Sequence, residues 1–278
     1  MNEFDTIVKK VMAQNPDYSL LQPVVEKEIL HHDILRIMNE AGYLKNLTFI
    51  GGTGLRMCYG SERLSEDLDF TSSFDFSKSD LAGLGTALEK SLNRKYNLKV
   101  TVTETHKEHT HTDTWKIKMI TRPERPDMPA QRINIDICHL PAHDRKIRML
   151  NNYYSIALGT EDLLLYAESL EEILCDKLIA VAFRLNRVKN RDLWDIFWMT
   201  RKNIKQNRTL LLQKLADRNI SPAVFAKHYS KRLEELKKSQ KQFIEEMRRF
   251  LFPNAFTESF MSPRWWEYLL DILNQLSL

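Results

Sequence analysis

The stretch from Leu47 to Phe70 limits the fold more than any other part of the chain. Leu47-Thr48-Phe49-Ile50 is an apolar run of strand length that breaks onto Gly51-Gly52-Thr53-Gly54, and Leu55 to Tyr59 then reads as a short helix. Asp67-Leu68-Asp69-Phe70 alternates polar and apolar residues, as a half-buried strand does. Strand side chains alternate with a period of two, so Asp67 and Asp69 share one face while Leu68 and Phe70 share the other. Strand, glycine turn, helix and acid-bearing strand in that order commit the amino-terminal half to mixed α and β structure.

The same residues suggest chemistry. Glycines at the end of a strand let backbone N–H groups approach a phosphate with no Cβ in the way, and the amino terminus of the next helix adds a favourable dipole. Two carboxylates spaced by one residue suit a hard divalent cation, and Mg²⁺ favours one or two carboxylates together with substrate phosphates. A lone Asp-x-Asp is ordinarily a solvent-facing strand; beside a phosphate turn it reads as half of a shared pocket. Asp136 supplies a third acid. It lies in Arg132-Ile133-Asn134-Ile135-Asp136-Ile137, where the isoleucines face one way and Arg132, Asn134 and Asp136 the other. If that strand neighbours the one carrying Asp69, three carboxylates gather on one face. The glycine run is neither a dinucleotide fingerprint, which needs Gly-x-Gly-x-x-Gly, nor a P-loop, which needs Gly-Lys-Ser/Thr.

At 278 residues, 43% apolar and 28% charged, the chain has the profile of a packed globular protein of roughly two domains at about 150 residues each. Further strands are expected at Lys99–Thr103 and Trp115–Met119, with a proline-marked loop before Arg132. A helix is expected from about Pro23 to Gly42, and the pattern from Leu163 onward reads as helical. Ser169 with Glu172 fits a capping box that opens one of these helices. Domains are therefore expected at residues 1–160 and 161–278. Cys58, Cys138 and Cys175 are widely spaced in apolar stretches and read as reduced thiols of a cytoplasmic protein. No signal-peptide layout opens the chain, and no window approaches the ~18 apolar residues of a membrane span. Net charge is only +4, yet Arg184 to Phe250 holds 18 Lys and Arg against 7 Asp and Glu. That surplus suits a polyanion, although its interleaved glutamates also fit a solvated, ion-paired helix. The His106 to His111 run has metal-like spacing but reads as an exposed hairpin, and His31-His32-Asp33 reads as solvated or structural.

Phe49-Ile50-Gly51-Gly52-Thr53-Gly54-Leu55 followed by Arg63-Leu64-Ser65-Glu66-Asp67-Leu68-Asp69-Phe70 resembles the Gly-Gly-Thr-Ala-Leu and Arg-x-Ser-x-Asp-x-Asp-Phe signature of the AbiEii/MenT-type toxins, within the nucleotidyltransferase superfamily. Leu170-Glu171-Glu172 through Lys177-Leu178, and Arg191-Asp192 through Asp195, are similar to the family's Leu-Glu-Glu-x-x-x-x-Lys-Leu helix and Arg-Asp-x-x-Asp segment. The likeness spans roughly residues 28 to 200. It implies an α+β fold with a polymerase-β-like mixed sheet core and a helical carboxyl-terminal domain completing the active-site cleft.

By that resemblance Asp67, Asp69 and Asp136 would bind Mg²⁺ or Mn²⁺. Gly51, Gly52, Thr53, Ser65, Lys177 and Arg191 would hold the NTP donor, and Lys177 and Asp195 match residues essential in the family. Asn134 stands where the family often has a basic residue. The implied reaction is two-metal transfer of a nucleotide to an RNA, with the tRNA 3′ end as acceptor, which blocks translation in a toxin–antitoxin or phage-defence system with a cognate antitoxin. From the residues alone, a single Lys such as Lys177 on an amphipathic helix is usually a solvated surface charge, though it sits at the border of the buried face, and Arg191-Asp192 and Asp195 are equally an intrahelical ion pair. Two other functions stay open: a transferase acting on a protein side chain or small molecule, and a non-catalytic nucleotide or RNA-binding module.

Overall fold

The computed structural model describes residues 2–73, 75–106, 111–125 and 127–278. The chain divides into two units, Met1–Gly60 with Leu64–Ala167, and Ser61–Arg63 with Glu168–Leu278.

The first unit contains a mixed seven-stranded sheet. Its strands are β1 (Thr48–Ile50), β2 (Leu68–Thr71), β3 (Val100–His106), β4 (Thr112–Met119), β5 (Gln131–Cys138), β6 (Arg145–Met149) and β7 (Leu164–Glu168). Helices α1 (Glu3–Met12), α2 (Gln22–Glu40), α3 (Gly51–Tyr59) and α4 (Leu84–Tyr96) accompany it. The strand order is β3-β4-β5-β2-β1-β7-β6. Pairing is antiparallel in β3·β4, β4·β5 and β1·β2, and parallel in β2·β5 and β1·β7.

Register sorts the side chains into two faces. Phe49, Leu68, Phe70, Trp115, Ile117, Ile133, Ile135, Ile137 and Ala167 form one face and are buried, with α2 packed against β5, α3 against β1 and β2, and α4 against β3. The opposite face carries Asp69, Thr114, Lys116, Lys118, Arg132, Asn134 and Asp136, each half-buried or exposed. Binary alternation alone produces this division, because period-two side chains on paired strands stay in phase.

One expectation changes here. Leu164–Glu168 is strand β7, paired in parallel with β1, and not the start of a helix. Its Leu-Leu-Tyr-Ala-Glu sequence favours helix locally, and β-sheet pairing overrides that preference. Of the two readings left for His31, His32 and Asp33, solvated or structural, the second holds: all three are buried. His31 Nε2 lies 3.0 Å from the Glu66 carbonyl oxygen and His32 Nδ1 meets the Thr160 hydroxyl at 2.5 Å. Asp33 accepts from Lys95 at 2.6 Å and from the Tyr96 hydroxyl.

The second unit is built from α5 (Leu170–Phe183), α6 (Asn190–Arg201), α7 (Arg208–Asp217), α8 (Pro222–Leu236), α9 (Gln240–Met247), α10 (Glu258–Met261) and α11 (Pro263–Gln275). Helix α5 packs against α6, α7 and α8. The Ser169 hydroxyl accepts the Glu172 N–H at 3.2 Å, as a cap should. The Glu172 carboxylate departs from a capping box: with Glu168 and Asp176 it surrounds the buried Lys214 ammonium, at 2.8, 2.6 and 3.0 Å. Burial and the neighbouring acids Asp176 and Glu172 push Glu168 well above the usual carboxylate range, against the pull of Lys214. The three cysteines are free thiols, and among the described residues no helix is long and apolar enough to cross a membrane.

Burial lowers both His31 and His32 from an ordinary value of 6.5 to about 4. A base that resists protonation in the folded state binds fewer protons than in the unfolded chain. Its stabilising contribution is complete above pH 6.5 and is lost as pH falls toward 4. Denaturant midpoints should therefore drop across this window, and His31→Gln, which keeps a donor to Glu66, should flatten the drop in a chemical-denaturation series.

Candidate active site

The first unit lays Asp69 against Gly51. Strands β1 and β2 place Ile50 opposite Asp69, and the chain turns into α3 through Gly51 at φ +72°. A Cβ at Gly51 would lie 2.6 Å from Asp69 Oδ2, closer than any contact two such atoms tolerate. Glycine is thus required both by the left-handed backbone and by the carboxylate laid against it. Ile50 caps α3 without a side-chain hydrogen bond, so no side chain of the cap residue covers the helix amino terminus, where N–H groups and dipole favour an anion.

Asp69 and Asp136 are directly opposed across the parallel pair β2·β5, which sets the two carboxylates side by side on the open face. Thr114, opposite Asp136 on β4, donates its hydroxyl to Asp136 Oδ1 at 2.5 Å. Asp67 sits one residue before β2, and its Oδ1 accepts the Asn134 backbone N–H at 3.0 Å. That bond ties the loop entering β2 to β5. The loop is pinned from below as well: Lys27 pairs with Glu66 at 2.9 Å, His31 meets the Glu66 carbonyl, and the buried Thr53 hydroxyl donates to the Asp67 carbonyl. Gly52 and Thr53 are both buried in the first turn of α3. The Thr53 side chain therefore braces the acid loop, leaving only its backbone for a phosphate. Ser65 is buried in the segment leading into that loop.

Among the described residues no three His, Cys, Asp or Glu close into a ready-made metal cage. Two opposed carboxylates with a third at the strand entrance form an all-oxygen, incomplete donor set. It suits Mg²⁺ or Mn²⁺ completed by water and phosphate better than a structural metal. The His106 to His111 run falls largely outside the described residues.

Lys177, Arg191 and Asp195 belong to the second unit. Arg63 grips Asp195 through Nε–Oδ1 and Nη2–Oδ2 contacts of 2.9 Å each. Lys177 reaches Asp195 Oδ2 at 2.8 Å and Asp192 Oδ1 at 2.6 Å, while Arg184 meets Asp192 Oδ2 at 3.1 Å. Asp192 and Asp195 thus reach out of α6 to α5 and the 61–63 segment. Arg191 lies over the Phe250 ring at 4.6 Å. Burial alone would drive the Lys177 ammonium down, but Asp192 and Asp195 outweigh it and hold it above its ordinary range. Asp192 is held below the usual carboxylate range: burial pushes it up, and Lys177 and Arg184 more than offset that.

Arg63 and Arg184 were given no role in the sequence. Arg63 had a signal, its place in the Arg-x-Ser-x-Asp-x-Asp motif. Arg184 had none, since a lone Arg at a helix end is ordinarily solvated.

Two variants probe this construction. Gly51→Ala should destabilise the first unit by about 1–3 kcal/mol from backbone strain alone and displace Asp69, which thermal denaturation with an activity assay would show. Asp195→Asn leaves Arg63 and Lys177 buried with one fewer counter-charge and should cost about 3–5 kcal/mol, read as a lowered denaturant midpoint.

A family model described as "Nucleotidyl transferase AbiEii toxin, Type IV TA system" matches residues 33–271. No curated protein matches the chain in sequence. Among solved structures, MenT4, a nucleotidyltransferase toxin from Mycobacterium tuberculosis H37Rv, is similar at a TM-score of 0.50 and 13% identity, with 98% of this chain and 99% of that one covered. JHP933 from Helicobacter pylori gives a TM-score of 0.48 at 15% identity, covering 91% of this chain and 93% of that one. With most of its length inside the family model and the family's Gly-Gly-Thr and Asp-x-Asp residues meeting at Gly51, the chain belongs to the AbiEii nucleotidyltransferase toxins of type IV toxin–antitoxin systems.

Proposed function

We propose that this toxin transfers a nucleotide from an NTP to a hydroxyl of RNA, with the 3′ end of tRNA as acceptor, and so stops translation in the cytoplasm. The observation that carries the reading is the opposition of Asp69 and Asp136 beside the Gly51 turn. An acid pair next to an anion-receptive helix terminus is the arrangement in-line nucleotidyl transfer needs.

The α3 amino terminus and the Gly51-Gly52-Thr53 backbone would bind the triphosphate. Asp67, Asp69 and Asp136 would hold Mg²⁺. When bound, the divalent ions supply charge neutralisation at the phosphates and lower the pKa of the attacking hydroxyl. The acceptor oxygen forms a bond to the α-phosphorus, the bond from that phosphorus to the β-phosphate bridging oxygen breaks, and pyrophosphate leaves. Asp136, whose Oδ1 accepts the Thr114 hydroxyl, would hold the metal and help take up the hydroxyl proton. Lys177 keeps its proton through Asp192 and Asp195, which preserves a cation for the phosphate role its family position suggests; Arg191 is assigned the same role on that ground.

Membership of a type IV toxin family implies an antitoxin partner. Action during phage infection is part of the same proposal.

Purified protein incubated with each labelled NTP, Mg²⁺ and total tRNA should label the tRNA. Asp69→Asn and Asp136→Asn should lower the rate by on the order of 100-fold or more, and Asp67→Ala and Asp69→Ala should relieve growth arrest. Label appearing on protein instead would move the acceptor to a side chain, and arrest persisting in both alanine variants would overturn catalysis as the toxic act.

A further inference from the structure

On the open face of the sheet, cations line up beside the carboxylates. Lys116 pairs in register with Asn134, and Lys118 with Arg132. All three cations are exposed, and none has an ion-pair partner among the described residues. The neighbouring strand adds hydroxyls to the same face, with Thr101 opposite Lys118 and Thr103 opposite Lys116. Like charges directly opposed across an antiparallel pair destabilise a sheet. Lys118 facing Arg132 is therefore a local cost with no ion pair to offset it among the described residues, and an anion on this face would remove it.

Position decides which anion. The order β4-β5-β2-β1 puts Gly51 and the α3 terminus on one side of Asp69, and the cations on the other side, beyond Asp136. At ~3.3 Å per residue, Lys116 lies about 7 Å and Arg132 about 13 Å along the sheet from the level of Asp136. That spread is too long for one phosphate and suits successive phosphates of a chain whose end lies at the acids. The donor's triphosphate already has a site on the opposite flank.

We infer that Lys116, Lys118 and Arg132 form a docking rail for the phosphodiester backbone of the RNA acceptor, on the sheet itself and separate from the basic helical unit. The rail rests on the proposed RNA acceptor, and binding can be tested apart from transfer. Fluorescence anisotropy of the full chain with a labelled single-stranded RNA of about 12 nucleotides should show Lys116→Ala, Lys118→Ala and Arg132→Ala each weakening binding about threefold or more. Each should also reduce the slope of log affinity on log salt by about 0.7. The Lys118→Ala melting midpoint should hold or rise, since that variant relieves repulsion, and ATP affinity should stay at the wild-type value. Unchanged RNA affinity and salt slope in the triple variant would overturn the rail, as would a loss that tracks a falling midpoint. A fall in ATP affinity with RNA binding intact would overturn it too, by giving the cations to the donor. If wild-type protein binds RNA through these residues yet labels none with NTP and Mg²⁺, the rail stands and the transfer reading fails.

Discussion

The contact on which the first unit depends is the approach of the Asp69 carboxylate to the Gly51 backbone. It fixes three things at once: β1 must turn sharply, α3 must begin at that turn, and the acid must lie against the new helix terminus. A Cβ would force the carboxylate and the turn apart, because it would lie 2.6 Å from Asp69 Oδ2 and 3.1 Å from Asp69 Cβ and Cγ. The remaining contacts are bracing. The Asn134 N–H holds Asp67, the Thr53 hydroxyl holds the Asp67 carbonyl, and His31 and Lys27 hold Glu66. A carboxylate-rich loop would otherwise spread under its own repulsion, so each brace opposes a specific electrostatic cost.

The second unit solves a related problem differently. Its buried charges are compensated mainly by each other: Arg63, Lys177 and Arg184 against Asp192 and Asp195, and Lys214 against Glu168, Glu172 and Asp176. Buried ion networks contribute little net stability compared with an apolar core, but breaking one partner is expensive. Such a network fixes one arrangement of helices and penalises alternatives. Asp195, central to one network, holds the short 61–63 segment to α6.

Much of the site was readable because its signal was local. Alternation in Asp67–Phe70 and in Arg132–Ile137 assigned the acids to a face, and only the adjacency of β2 and β5 had to come from the fold. What escaped depended on distant partners. Glu172 reads as the second half of a capping box, yet a lysine 42 positions later claims its carboxylate. Strand β7 carries a helix-favouring sequence and is strand only because β1 is there to receive it. β6 has no apolar alternation, since all five of its residues are exposed at the sheet edge. Arg63 sits in a recognisable motif, but its partner lies 132 positions away.

Charge counted along the chain also needs reading in three dimensions. The helical stretch from Arg184 to Phe250 carries the basic surplus, but part of it is spent internally. Lys214 and Arg218 neutralise Glu168, Glu172 and Asp176, which lie outside that stretch. Arg232 and Lys237 pair with neighbouring glutamates. The sheet unit, acidic by count, exposes Lys116, Lys118 and Arg132 together on the face that bears Asp69 and Asp136. A polyanion responds to local field, which decays over about 10 Å at moderate salt, and not to the sum over a segment. Lys116, about 7 Å along the sheet from the level of Asp136, lies within that range, and Lys118 and Arg132 stand just beyond it on the same face, so a polyanion laid along the sheet meets a cation with no ion-pair partner among the described residues before it meets the acids.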